Sequence, residues 1–178
     1  ELRVHPTLIP AKRLIANVEG AMNAVLVQGD AVGATLYYGK GAGAEPTASA
    51  VIADLVDVTR MHTADPGNRV PHLAFQPEQL VNLPILPMDA VESSYYLRMR
   101  VWDEPGVLAD ITRVLADEKI SIDAVIQKEP GEGEDEADLV LLTHRTREKL
   151  INDSIARLEQ LPVVVGKVTR LRMEGLGK

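Results

Sequence analysis

Val101-Trp102-Asp103-Glu104-Pro105-Gly106-Val107-Leu108-Ala109 is the stretch on which the fold turns. An alternating run ends here, a Pro-Gly pair interrupts it, and apolar residues then resume at helical spacing. Upstream, Tyr95, Leu97, Met99 and Val101 alternate with Tyr96, Arg98, Arg100 and Trp102, the pattern of a strand covered on one face. Downstream, Val107, Leu108, Ile111, Val114 and Leu115 form a helical stripe ending near Lys119. Ile120, Ile122, Ala124 and Ile126 then alternate with polar or smaller neighbours as a second strand, and Leu139 to His144 reads as a third. Leu150, Ile151, Ile155, Leu158 and Leu161 mark a second helix, and Val163 to Met173 a fourth strand whose alternation changes phase, as a bulge or an edge position explains. The order is βαββαβ, a ferredoxin-like unit over residues 95–174, with an antiparallel sheet and both helices on one face.

The loop itself has chemistry. Pro105 suits the opening of a helix, where its missing N–H has no partner to lose, and Gly106 permits close approach to the backbone. The unpaired N–H groups of a first helical turn accept a carboxylate, and Asp103 beside them can hold an ammonium group. A free α-amino acid carries both. The plain alternative is that Asp103 caps the helix and the Pro-Gly pair makes the turn; the loop by itself leaves both open.

Residues 63–94 hold five prolines, Pro66, Pro71, Pro77, Pro84 and Pro87, which is the composition of an extended connector. Ahead of it, residues 1–62 are apolar and rich in Gly and Ala. Ala21 to Gln28 and Ala31 to Tyr38 read as a hairpin around Gly29-Asp30. From Pro46, the positions Ala48, Val51, Ile52, Leu55 and Val56 recur at helical spacing. Gly39-Lys40-Gly41-Ala42-Gly43-Ala44, between this strand and helix, matches the dinucleotide pattern G-x-G-x-x-A. Its context is wrong for that motif, because the chain then runs into the connector instead of returning as a parallel strand with an acidic end. A few strands and one helix are also too little to enclose a core without further polypeptide. The fold class is therefore α+β: a C-terminal ferredoxin-like domain preceded by a partial α/β region.

Composition narrows the function. The chain of 178 residues is 46% hydrophobic, carries a net charge of −7 and has no cysteine. Scattered Lys and Arg on an acidic chain argue against a nucleic-acid partner, and without cysteine there is no disulfide, thiolate nucleophile or Cys-based zinc site. No apolar stretch is long enough to span a bilayer, and the start lacks the basic and apolar regions of a signal peptide, so a cytoplasmic location and no membrane partner are expected. Glu1 in place of Met, followed at once by strand-like Leu2 to Val4, reads as a start inside a longer polypeptide. His5, His62, His72 and His144 are dispersed, so no metal site is expected. Glu129 to Asp138 holds six carboxylates but not the alternate spacing of a calcium loop, and reads as a solvated hairpin loop.

Val101 to Ala109, followed by Ile111 and by Ile120-Ser121-Ile122, resembles the ACT-domain signature of a D-x-P-G-V-L loop and an I-S-I strand. That resemblance implies paired domains whose sheets join into a homo-oligomer. It also implies amino-acid effectors held between the loop of one copy (Asp103, Gly106, Val107, Leu108) and the second strand of the other (Ser121, Asp123, Gln127). Many ACT domains bind nothing and serve only to dimerise, so a stand-alone binding or dimerisation module is the alternative.

The longer run from Tyr38 to Asp54 is similar to the C-terminal catalytic motif of the homoserine dehydrogenase family, as are Asn17 to Ala24 and Tyr95-Tyr96-Leu97-Arg98. This resemblance implies an NAD(P)-dependent oxidoreductase that interconverts L-aspartate 4-semialdehyde and L-homoserine, with threonine as the effector. It places Gly41, Ala42 and Gly43 against the nicotinamide cofactor. The family's Rossmann loop, catalytic lysine and homoserine-binding carboxylates have no counterpart here, so no catalytic residue is expected in this chain and no tight NAD(P) binding to it alone.

Overall fold

The computed structural model describes residues 1–63, 75–128, 130–131 and 133–175. Pro66, Pro71, His72, Glu129 and Glu132, read above, lie outside them. The chain forms two compact units, Glu1–Pro10 with Pro84–Lys178, and Ala11–Leu83.

The first unit is built on the expected βαββαβ frame. Its strands are β1 (Thr7–Leu8), β4 (Glu92–Trp102), β5 (Ile122–Gln127), β6 (Glu136–Thr143), β7 (Thr146–Arg147) and β8 (Val164–Met173), and its helices are α2 (Val107–Asp117) and α3 (Glu148–Leu158). The second unit holds β2 (Met22–Gln28), β3 (Ala34–Lys40) and α1 (Ala44–Thr63).

The alternation in β4 does what its sequence predicts. Tyr95, Leu97, Met99 and Val101 are buried and join Ala137, Leu139 and Leu141 of β6 with Ile111, Leu115, Ile151 and Leu158 of the helices in one core. Each such aliphatic side chain, fully withdrawn from water, contributes on the order of 2 kcal/mol. The sheet order is β1-β8-β4-β6-β5, with β7 beside the start of β4. The phase change read in the last strand is a bulge: β4–β8 pairing passes from Arg98↔Thr169 to Arg100↔Val165.

One edge of this sheet differs from expectation. Leu2 to Val4 is not strand; the strand is Thr7–Leu8, which lies parallel to the end of β8 with Thr7 opposite Arg172 and Leu8 opposite Met173. The Glu174 N–H donates to the Leu8 carbonyl at 3.0 Å, and Arg3 pairs with Glu174 at 2.8 Å. Glu1–Pro10, expected with the hairpin and helix of residues 1–62, clusters with the C-terminal unit because its backbone pairs there.

In the second unit the loop of the hairpin is longer than expected. The strand register runs from Met22↔Lys40 to Gln28↔Ala34, and the chain reverses through Gly29 to Gly33, closed by Gly29 N–H on the Gly33 carbonyl at 2.8 Å, instead of through Gly29-Asp30 alone. Helix α1 begins at Ala44, ahead of Pro46. Its apolar stripe is uncovered, with Val51, Ile52 and Leu55 exposed by 52, 59 and 57%. Among the described residues of Ala11–Leu83 none is buried.

A buried carboxylate ties the first unit together. Glu148 opens α3 and is 3% exposed; its Oε2 receives the Tyr95 hydroxyl at 2.6 Å and Arg172 Nε at 3.0 Å, and its Oε1 pairs with Arg170 Nη1 at 2.9 Å and with Arg172 Nη2. Burial pushes the carboxyl pKa up, but the hydrogen bonds from Arg172 and Tyr95 and the charges of Arg170 and Arg172 outweigh it and hold the group below the usual carboxylate range. Burial, the hydrogen bond to Glu148 and its charge push the Tyr95 hydroxyl pKa far up. A depressed folded pKa gives stability that is present above the unfolded value, about 4.3, and is lost as pH falls through the folded value. Glu148→Gln leaves two part-buried guanidinium groups unpaired. It should cost about 3 kcal/mol or more in urea unfolding and flatten the loss of stability below about pH 4.5 that the parent chain shows.

Candidate functional site

The loop after β4 is a turn followed by a helix. Glu104-Pro105-Gly106-Val107 has the residue order of a type II turn, with Gly106 at φ +97° in its third position and Val107 N–H on the Glu104 carbonyl at 3.4 Å. Pro105 therefore lies in the turn and not in the helix, because the positive φ of Gly106 breaks the helical path before Val107. Gly106 is the N-cap residue, and no side chain caps α2. The capping role open to Asp103 is not taken.

Asp103 instead faces the second strand. Its Oδ1 accepts a hydrogen bond from Gln127 Nε2 at 3.0 Å, and its N–H donates to the Asp135 carbonyl at 2.9 Å. Loop and strand candidates thus meet within one copy of the chain. Gly106 and Leu108 are exposed and Val107 is in the core, so Val107 offers a ligand only its backbone. Asp110 N–H bonds the Gly106 carbonyl at 3.1 Å. Of the first-turn N–H groups before it, that of Val107 is taken by the Glu104 carbonyl, and those of Leu108 and Ala109 have no helical carbonyl to bond.

Ser121 just precedes β5 and Asp123 stands at its start, roughly 20 and 13 Å along the chain from Gln127. The Ser121 carbonyl accepts His144 N–H at 2.9 Å, and Asp123 Oδ1 lies 3.9 Å from His144 Nε2, an ion pair when the ring is protonated. A shallow groove of about 560 Å³ runs beside them, between Thr112, Arg113 and Ala116 of α2 and Ile120 and Ile122. This groove has no signature in the sequence, because Thr112 and Arg113 lie outside the apolar stripe of α2. The acidic segment has a partner: Arg100 pairs with Glu134 at 3.1 Å and with Glu136 at 3.0 Å.

The glycine-rich turn lies in the other unit, between β3 and α1. Gly41 N–H donates to the Ala21 carbonyl at 3.3 Å, and the Gly43 carbonyl accepts Thr47 N–H at 3.1 Å, the first bond of α1. Gly43 has φ +123°, and a Cβ there would meet Pro46 Cδ at 3.3 Å. Gly41, Ala42 and Gly43 are all exposed. The turn thus presents bare backbone beside the N-terminus of a 20-residue helix, a surface that suits close approach by a planar, polar ring.

Fold and loop define a class: a chain that carries an ACT-type domain. Residues 95–163 match the ACT domain family, and residues 1–56 match the homoserine dehydrogenase family. The chain is 60% identical to the homoserine dehydrogenase of Pseudomonas aeruginosa over 99% of its length and 41% of that protein's. With the homoserine dehydrogenase of Methylobacillus glycogenes it shares 62% over all of the chain and 42% of that protein. The crystal structure of a homoserine dehydrogenase from Thiobacillus denitrificans superposes with a TM-score of 0.87 at 68% identity, over 98% of this chain and 39% of that one. The chain belongs to the homoserine dehydrogenases, matching their C-terminal part, and spans about two fifths of the length of the curated relatives it matches.

The left-handed backbone at Gly106 has a measurable consequence. A Cβ there meets open space, so the cost of a side chain is conformational alone. Gly106→Ala should destabilise the first unit by about 1 to 2 kcal/mol in denaturant unfolding.

Proposed function

We propose that these residues serve a homoserine dehydrogenase that interconverts L-aspartate 4-semialdehyde and L-homoserine with NAD(P), in the cytoplasm. The observation that carries this reading is the match to homoserine dehydrogenases along 98–100% of the chain, through both family regions and the connector between them. In this reading residues 1–62 complete a catalytic region, 63–94 connect, and 95–174 regulate. Gly41, Ala42 and Gly43 lie against the nicotinamide, which gives or takes the hydride when the cofactor is bound. The exposed stripe of α1 and the unburied hairpin support a catalytic region completed by further polypeptide, since apolar faces of this size need cover.

The regulatory half pairs with a second copy and binds an amino acid, threonine being the end product that fits the pathway. The effector carboxylate rests on the first-turn N–H groups of α2, and its ammonium on Asp103, with Ser121 and Asp123 from the neighbouring copy completing the site; Gln127, expected from that copy too, serves Asp103 of its own. Gln127 already holds one oxygen of Asp103, which orients the carboxylate before the ligand arrives. Coupling to catalysis requires that threonine bind two states of the enzyme unequally.

Two measurements check this. The complete polypeptide should oxidise homoserine with NAD(P), and the purified chain of 178 residues should not; homoserine-dependent reduction of NAD(P) by the chain alone would refute the reading of where the active site lies. Calorimetry on the chain should show threonine binding that is abolished by Asp103→Ala. No heat at millimolar threonine or any other amino acid, with the oligomer intact, would leave a dimerisation module without an effector.

A further inference from the structure

At the open end of the β2–β3 hairpin, one step before the turn into α1, Asn23 and Gly41 pack against each other. Two donors converge there on one acceptor: the Ala21 carbonyl receives Gly41 N–H at 3.3 Å and Asn23 Nδ2 at 3.4 Å. The Asn23 side chain also occupies the space that a side chain on residue 41 needs. A Cβ at Gly41 would lie 2.6 Å from Asn23 Cγ and 3.1 Å from Asn23 Cβ, and closest of all to the amide nitrogen. Turning the amide about its last bond does not relieve this overlap, because Cγ and Cβ do not move in that rotation.

The constraint at Gly41 is unlike that at Gly43. Gly41 is absent from the positive-φ glycines, whereas Gly43 is held by its φ of +123°. Gly39, opposite Asn23 in the hairpin register, has open space around it. Packing by Asn23, as long as its amide keeps the bond to the Ala21 carbonyl, is thus what demands a glycine at 41. The turn is anchored at one end by Asn23 and Ala21, and at the other by Thr47 N–H on the Gly43 carbonyl at 3.1 Å. Between these anchors stands Ala42 alone, in a Gly-Ala-Gly sequence that without them would be among the freest in the chain.

We propose that Asn23 is a positioning residue for the nicotinamide cofactor: acting through Gly41, it fixes where the Gly41–Gly43 backbone meets the ring. The proposal rests on the dehydrogenase reading above. Asn23 touches neither cofactor nor substrate; it sets the backbone that does.

The test uses Asn23→Gly, Gly41→Ala and the double variant in the complete polypeptide, with NAD(P)H binding followed by fluorescence and with KM measured separately for cofactor and homoserine. Gly41→Ala should weaken cofactor binding about tenfold or more, with the KM for homoserine little changed. Adding Asn23→Gly should recover most of that loss, and Asn23→Gly alone should raise the KM for cofactor several-fold. Parent-like cofactor binding by Gly41→Ala, or a double variant no better than Gly41→Ala, would overturn the proposal. The Gly43 amide resonance of the complete polypeptide, which does not depend on activity, should shift in each single variant. If the complete polypeptide has no dehydrogenase activity, the dehydrogenase reading fails, and an unmoved Gly43 resonance in Asn23→Gly separately overturns the positioning role.

Discussion

The C-terminal unit depends on one carboxylate. Glu148 sits where α3 begins, and its oxygens hold the Tyr95 hydroxyl of β4 and the Arg170 and Arg172 guanidiniums of β8. Its own N–H is bonded to the Val91 carbonyl at 2.8 Å, just ahead of β4. A charge withdrawn from water this far is tolerated only when fully paired, so the start of the second helix, the central strand and the last strand must stay in one arrangement together. Hydrophobic burial drives the helices onto the sheet, and the carboxylate fixes where along the strands they come to rest.

Periodic burial made this half readable in advance. Tyr95, Leu97, Met99 and Val101 all reach the core because their strand has one covered face, and the stripes of α2 and α3 meet it. What was not legible depends on partners remote in sequence. Glu148 reads as an ordinary acidic residue in a first helical turn, and only the fold brings Tyr95 and Arg172 to it. Thr7–Leu8 is too short to announce a strand, and its pairing exists because β8 supplies an edge. Pro105, expected to open the helix, lies two residues ahead of it because Gly106 adopts a positive φ that composition permits but does not dictate. At the candidate sites the residue types were legible and their contacts were not: neither Asp103 on Gln127 nor Asn23 against Gly41 follows from spacing.

The two units handle apolar surface differently. The ACT domain encloses its own core, with Ile111, Leu115, Ile151 and Leu158 inaccessible. In the hairpin and α1 the apolar residues are as regular, yet Val25, Tyr37, Ile52 and Leu55 each expose more than half their surface. The same sequence pattern thus yields a folded domain in one half and an unpaired face in the other. The difference lies in whether a complementary layer is present, not in the quality of the pattern.

The β1–β8 pairing bears on the order in which the chain can assemble. Arg3 and Glu174, which meet across that edge, are 171 positions apart, so closing this contact requires nearly the entire chain and gains nothing from local structure. During synthesis Thr7–Leu8 has no β8 to pair with until Val164–Met173 has emerged. The edge of the sheet that β1 covers is consequently the last to be sealed. A chain cut short before Val164 would lose not only its final strand but also the place of its first.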